Sequence, residues 1–165
     1  MLALLPEADE LLRLAASVDE RVVRAGVPAH VAFLYPWLPS AQVDDAELER
    51  LRAALPAGRV TVTLSAVQQA DGFVGVPVPA LASRATAVRG AYPRQVPYGG
   101  RFGPDPQVHV TVALGAEPQA AEDIARRVAP RLPITAQVAA LHVVELTDAG
   151  WRLLAELPLE QAGPC

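Results

Sequence analysis

Residues 27–39 read Val27-Pro28-Ala29-His30-Val31-Ala32-Phe33-Leu34-Tyr35-Pro36-Trp37-Leu38-Pro39, an apolar run with proline near both ends. Its β-branched and aromatic content, too short between breakers for a helix, predicts a strand from Ala29 to Tyr35. Side chains two apart in a strand share a face, so His30 lies with Ala32 and Leu34. Val31, Phe33 and Tyr35 form the opposite face, built for a core. A histidine on the lighter side of such a strand is costly to bury without a partner.

The pattern recurs once. From Val108 to Leu114 the chain reads Val108-His109-Val110-Thr111-Val112-Ala113-Leu114, a second strand with His109, Thr111 and Ala113 on one face and Val110, Val112 and Leu114 on the other. Each histidine strand leads through a turn into a helix and then an alternating strand. In the first case the helix runs from an Asp44 cap to about Leu55 and the strand from Arg59 to Val67. In the second they run from Pro118 to about Ala129 and from Ile134 to Leu146, the latter with a bend. Leu2 to Leu5 reads as a strand, Glu7 to Ala16 as a helix, and Phe73 to Val78 as a hairpin partner of the Arg59–Val67 strand. Pro79 to about Gly90 is a further helix. Trp151 to Leu157 alternates Trp151, Leu153, Ala155, Leu157 and closes the sheet. Strands, helices and hairpins in this order predict an α+β fold of two similar lobes, built from duplicated strand-helix-strand units with antiparallel sheets around a central cleft.

Tyr92 to Gln107 breaks any regular pattern with Pro93, Pro97, Gly99, Gly100, Gly103, Pro104 and Pro106, and a loop of that length in a compact domain is usually functional or mobile. Tyr98 and Arg101 sit in it just before the second histidine, where a substrate contact is expected. Tyr35 and Trp37 at the end of the first motif are candidates to stack a nucleotide base.

The chain of 165 residues is expected to be one domain spanning 1–165, with enough length to bury a single core. No apolar run reaches the ~20 residues of a membrane span, and Met1 to Leu5 runs straight into acidic residues without the marks of a secretory leader. The expectation is a soluble, cytoplasmic monomer that does not engage a membrane. A net charge of −4 argues against a long nucleic-acid surface. All 14 basic residues are arginines, so a phosphate clamp must be a guanidinium fork, and lysine Schiff-base chemistry is excluded. The lone Cys165 is a poor nucleophile at the chain's end. His142 lacks a following hydroxyl and reads as an ordinary strand residue. Gly72-Phe73-Val74-Gly75 lacks the strand-to-helix setting of a phosphate loop.

If the two units pack as equivalent lobes, His30 and His109 face one cleft. One neutral imidazole can then deprotonate an attacking oxygen while one imidazolium protonates a leaving oxygen, the requirement for ester cleavage at phosphorus. Thr111 shares the face of His109 and can donate to a phosphoryl oxygen as charge develops.

With those residues in place, the chain resembles the two-histidine phosphoesterase superfamily, which includes 2′-5′ RNA ligase-like proteins and cyclic phosphodiesterases and carries two His-x-Thr/Ser motifs. The resemblance rests on residues 27–39, on Pro97-Tyr98-Gly99-Gly100-Arg101-Phe102 and on residues 108–112, with matching element order over nearly the whole chain. It implies that His30 and His109 are the acid/base pair and Thr111 a phosphate ligand, in a metal-independent hydrolase of 2′,3′-cyclic nucleotides or related cyclic phosphates that needs no cofactor. Tyr35, Tyr98 and Arg101 are the further substrate-binding candidates. Ala32 departs from the pattern, standing where the family has Thr or Ser. That departure leaves a catalytically silent nucleotide- or phosphate-binding module as an alternative, and processing of an RNA terminus is a third reading.

Overall fold

The computed structural model of the chain describes residues 1–148 and 150–159; Cys165 lies outside them. The strands are β1 (Leu2–Leu4), β2 (His30–Ala32), β3 (Val60–Leu64), β4 (Gln68–Ala70), β5 (Phe73–Pro77), β6 (His109–Ala113), β7 (Ile134–Val138), β8 (Ala140–Thr147) and β9 (Gly150–Pro158). The helices are α1 (Asp9–Ala16), α2 (Asp45–Ala54), α3 (Ala82–Ala91) and α4 (Pro118–Val128). Seven strands form one antiparallel sheet in the order β4-β5-β6-β2-β1-β8-β9, and β3 pairs with β7 in a second, two-stranded sheet. The fold is α+β, as the sequence predicts. Among the described residues, no helix is long and apolar enough to cross a membrane.

Alternation along the strands divides the large sheet into two faces. Ala3, Val31, Val76, Val110 and Leu141 are buried on one of them, in a core shared with Leu11 and Ala15 of α1 and Ile124 and Val128 of α4. Asp44 caps α2 as expected, its carboxylate accepting from the Glu47 N–H at 2.9 Å.

Five expectations need correction. β5 does not pair with β3: Asp71 (φ 46°) and Gly72 (φ 75°) make a two-residue turn that joins β5 to β4, with Ala70 opposite Phe73. Asp-Gly with both residues at positive φ is the preferred tight hairpin connection, and it leaves β3 to find β7. The expected strand from Ile134 to Leu146 is two strands, divided at Ala139 between the two sheets.

The first histidine strand is shorter than Ala29 to Tyr35. The strand ends at Ala32, with one more backbone bond from the Phe33 N–H to the Met1 carbonyl oxygen at 2.9 Å, and Phe33 and Leu34 are both buried, so the predicted alternation stops there. The alternation of β9 is also interrupted. Val143 pairs with Ala155 and Val144 with Leu153, which makes Leu154 an extra residue on β9. Such a bulge shifts every later side chain to the other face. Leu157 is buried, whereas Leu153 is 55% exposed. A matching shift between Val74 and Gly75 makes Val112 the extra residue on β6, and Leu114, expected in the core, is exposed.

Candidate active site

Val31 of β2 pairs with Val110 of β6. In an antiparallel ladder this register sets His30 directly opposite Thr111 and Ala32 directly opposite His109, with all four side chains on the face away from Val31 and Val110. The two histidines are diagonal neighbours, a relation that places residues ~7–8 Å apart. The same row continues to Pro77 of β5 beyond His109 and to Leu2 of β1 beyond Ala32.

Each imidazole is held in the same way. The Nδ1 of His30 lies 2.9 Å from the Pro28 carbonyl oxygen, and the Nδ1 of His109 lies 2.9 Å from the Gln107 carbonyl oxygen. A carbonyl only accepts, so Nδ1 carries the proton and donates in both rings. Nε2 is left as the free nitrogen of each. Each ring also meets an aromatic edge: His30 stacks T-shaped on Trp151 with centroids 4.3 Å apart, and His109 on Phe73 at 4.9 Å. Gly75 permits the second contact, because a Cβ there would fall 2.3 Å from the Phe73 ring. The bulge at Leu154 permits the first, because it moves Trp151 off the core face onto the histidine face. Burial pulls both imidazoles below the ordinary histidine pKa, and for His30 the charge of the Met1 amine and, less, that of His109 add to the shift.

A cavity of about 610 Å³ opens on this face, lined by His30, Ala32, Tyr35, Tyr98, Thr111 and Trp151 among others. His109 is beside these residues on the sheet but is not part of the cavity's lining. Tyr35 is 52% exposed at the cavity rather than facing a core. Tyr98 takes a left-handed backbone (φ 52°), an unusual conformation for a non-glycine, and its N–H donates to the Tyr35 carbonyl oxygen at 2.6 Å. The two rings lie 6.3 Å apart.

Arg89 of α3 ties this loop to the first motif, its guanidinium donating to the Phe33 and Pro106 carbonyl oxygens and pairing with Asp105. Arg101 lies over the Phe102 ring, 5.3 Å from its centroid, and is not among the cavity's lining residues. Trp37 packs edge-on against Tyr92 and lines a separate cavity of about 370 Å³. His142 faces Glu156 across β8–β9, Nε2 to carboxylate oxygen 3.8 Å.

Sequence reasoning missed Trp151 and Phe73, read only as strand residues, and Arg21 and Arg24, which line the cavity wall before β2. The pairing of aromatic and histidine depends on bulges and on a glycine beneath a ring, which spacing along one strand does not reveal.

A family model described as the 2′-5′ RNA ligase superfamily matches residues 7–150. The chain therefore belongs to that superfamily, which is the two-histidine phosphoesterase superfamily. A search of the curated proteins found no match.

Proposed function

We propose that this single-domain protein hydrolyses a cyclic phosphate ester, a 2′,3′-cyclic nucleotide or a relative of it, with His30 and His109 as acid/base pair. The observation that carries this reading is the cross-strand square of His30, Thr111, Ala32 and His109, in which both rings keep Nε2 free. Water attacks phosphorus in line, and its proton passes to the Nε2 of the neutral imidazole. The bond from phosphorus to one ring oxygen breaks, and the imidazolium of the other histidine protonates that oxygen, giving a phosphomonoester. The Thr111 hydroxyl donates to a phosphoryl oxygen as its charge grows. Tyr35 and Tyr98 flank the ligand.

Turnover of the 2′,3′-cyclic nucleotides by the purified protein is the test. His30→Ala and His109→Ala are each expected to lose about 10²–10⁴-fold in kcat/KM. No turnover by the unaltered protein, or turnover that survives both substitutions, refutes the reading. One observation favours a second reading, that of a silent nucleotide-binding module: Ala32 offers no hydroxyl opposite His109. Calorimetry separates the two, since tight binding without product favours the module. Action on an RNA terminus draws support from the family description alone.

A further inference from the structure

Of the two hydrogen bonds that keep an Nε2 free, the one at His30 continues further into the protein. Its acceptor is the carbonyl of the peptide joining Pro28 to Ala29, and the N–H of that same peptide donates to a carboxylate oxygen of Asp9 at 2.8 Å. Asp9 is the first residue of α1 and stands 20 positions before Ala29 in the chain. A carboxylate, one peptide unit and an imidazole are thus joined end to end. The Ala29 carbonyl oxygen accepts in turn from the Leu5 N–H at 2.9 Å, and Ala29 is fully buried. Pro28 fixes its own φ through its ring, so the peptide is constrained from both ends. The peptide behind His109 differs. Its carbonyl belongs to Gln107 and accepts from Nδ1 at 2.9 Å, but among the described residues no side chain bonds the Val108 N–H on its other side.

An amide whose N–H is bound to an anion is a stronger acceptor at its carbonyl oxygen, because hydrogen bonds in a chain polarise one another. The tautomer of a neutral imidazole is set by the bond that its other nitrogen makes. We propose that Asp9 is a positioning residue for the reaction, holding the Pro28–Ala29 peptide so that His30 keeps its proton on Nδ1 and presents Nε2 to the phosphorus centre. The inference rests on the reading of the reaction given above and adds a residue to it. In a serine hydrolase triad a carboxylate fixes the imidazole by direct contact; here one peptide unit stands between the two. Asp9 is not among the residues that line the cavity, so it acts through His30. Its effect is confined to that ring, since no side chain holds the peptide behind His109 in the same way.

Nitrogen NMR of the rings and steady-state kinetics test the proposal in separate arms. At about pH 8, where neutral imidazoles dominate, His30 of the unaltered protein is expected as the Nδ1–H tautomer. In Asp9→Ala it should become a mixture of the two tautomers, with His109 unchanged. The kcat on a 2′,3′-cyclic nucleotide should fall about tenfold with KM nearly constant, because a misplaced acid/base group is felt in the transition state rather than in binding. Asp9→Asn keeps an oxygen that accepts from the Ala29 N–H, and should restore the tautomer and most of the rate. An unchanged His30 tautomer in Asp9→Ala, an equal change at both histidines, or Asp9→Asn behaving as Asp9→Ala overturns the proposal. If Asp9→Ala does not fold, scalar couplings across the hydrogen bonds of the unaltered protein decide instead. They are expected from the Ala29 nitrogen to Asp9 Cγ and from His30 Nδ1 to the Pro28 carbonyl carbon, and the absence of either overturns the proposal. Turnover that Asp9→Ala leaves at full rate overturns it too, while the reaction stands. A tautomer change confined to His30, in a protein that hydrolyses no cyclic ester, supports the positioning and refutes the reaction instead.

Discussion

Thr111 stands across the β2–β6 ladder from His30, and the same local two-fold sets Ala32 across from His109. The pair of imidazoles is thus nearly symmetric in its supports and asymmetric in its donors. Each ring gives its Nδ1 proton to the carbonyl two residues before it and packs T-shaped against an aromatic ring, yet of the two residues across the ladder from them Thr111 carries a hydroxyl and Ala32 does not.

With a hydroxyl at one of the two positions across from the histidines, the site should depend on it heavily. Thr111→Val keeps the shape of the side chain and removes the donor, and is expected to lower kcat/KM on a 2′,3′-cyclic nucleotide by about a hundredfold or more. The melting temperature should barely move, since the residue is only half-buried. Steady-state kinetics beside a thermal melt checks both parts.

The converse substitution fills the vacant donor position. Ala32→Thr places a hydroxyl opposite His109 at a half-buried site where a β-branched residue suits the strand. An increase of about tenfold in kcat/KM is expected, a fraction of what oxyanion donors contribute elsewhere. An unchanged or lower rate in a variant that melts normally contradicts the role given to this position.

Burial depresses the pKa of both site histidines below 6.5. A reaction needing one neutral and one protonated imidazole peaks midway between their apparent pKa values. The kcat/KM profile should therefore be a bell with its maximum below pH 6.5, and a maximum above about pH 7 contradicts the assignment. Stability follows the same sign. Below pH 6.5 the unfolded chain binds more protons at these histidines than the folded one, so the stability present above 6.5 is lost as pH falls through the folded values. His142, also depressed by burial, adds to the loss. Thermal melts from about pH 7.5 to about pH 5 should show a falling midpoint, and His142→Gln should flatten part of the fall.

Gly75 supports His109 from a neighbouring strand. A methyl group there would strike the Phe73 ring and crowd the Val110 carbonyl oxygen at 3.1 Å. Gly75→Ala should cost about 1–3 kcal/mol through overpacking. Because Phe73 is the aromatic edge beneath His109, the variant should also shift the ring resonances of His109 and lower kcat. Unshifted resonances in a folded variant would remove Phe73 from the support of the site.

Much of this was legible in the chain. Period-two alternation puts His30 with Ala32 and His109 with Thr111 without any coordinates, and Asp44 announces the start of α2. What escaped the sequence depends on partners far along it. The Asp71-Gly72 turn is the local signal that assigns β5 to β4. The bulge residues Leu154 and Val112 carry no mark in an apolar strand, yet they decide that Trp151 reaches His30 and that Leu114 is exposed. The strand ends after Ala32 because Phe33 and Leu34 both turn inward, which apolar character alone does not tell apart from a longer strand. Arg24 was hidden for the same reason, since nothing adjacent to it in sequence says which wall it lines.

The account stands on two free Nε2 atoms sharing one phosphorus centre. A crystal soaked in inorganic phosphate measures this most directly. The account predicts one anion within hydrogen-bonding distance of Nε2 of His30, Nε2 of His109 and the Thr111 hydroxyl together. A phosphate bound by only one imidazole, with the other nitrogen turned away from it or closed off by its neighbours, would contradict it.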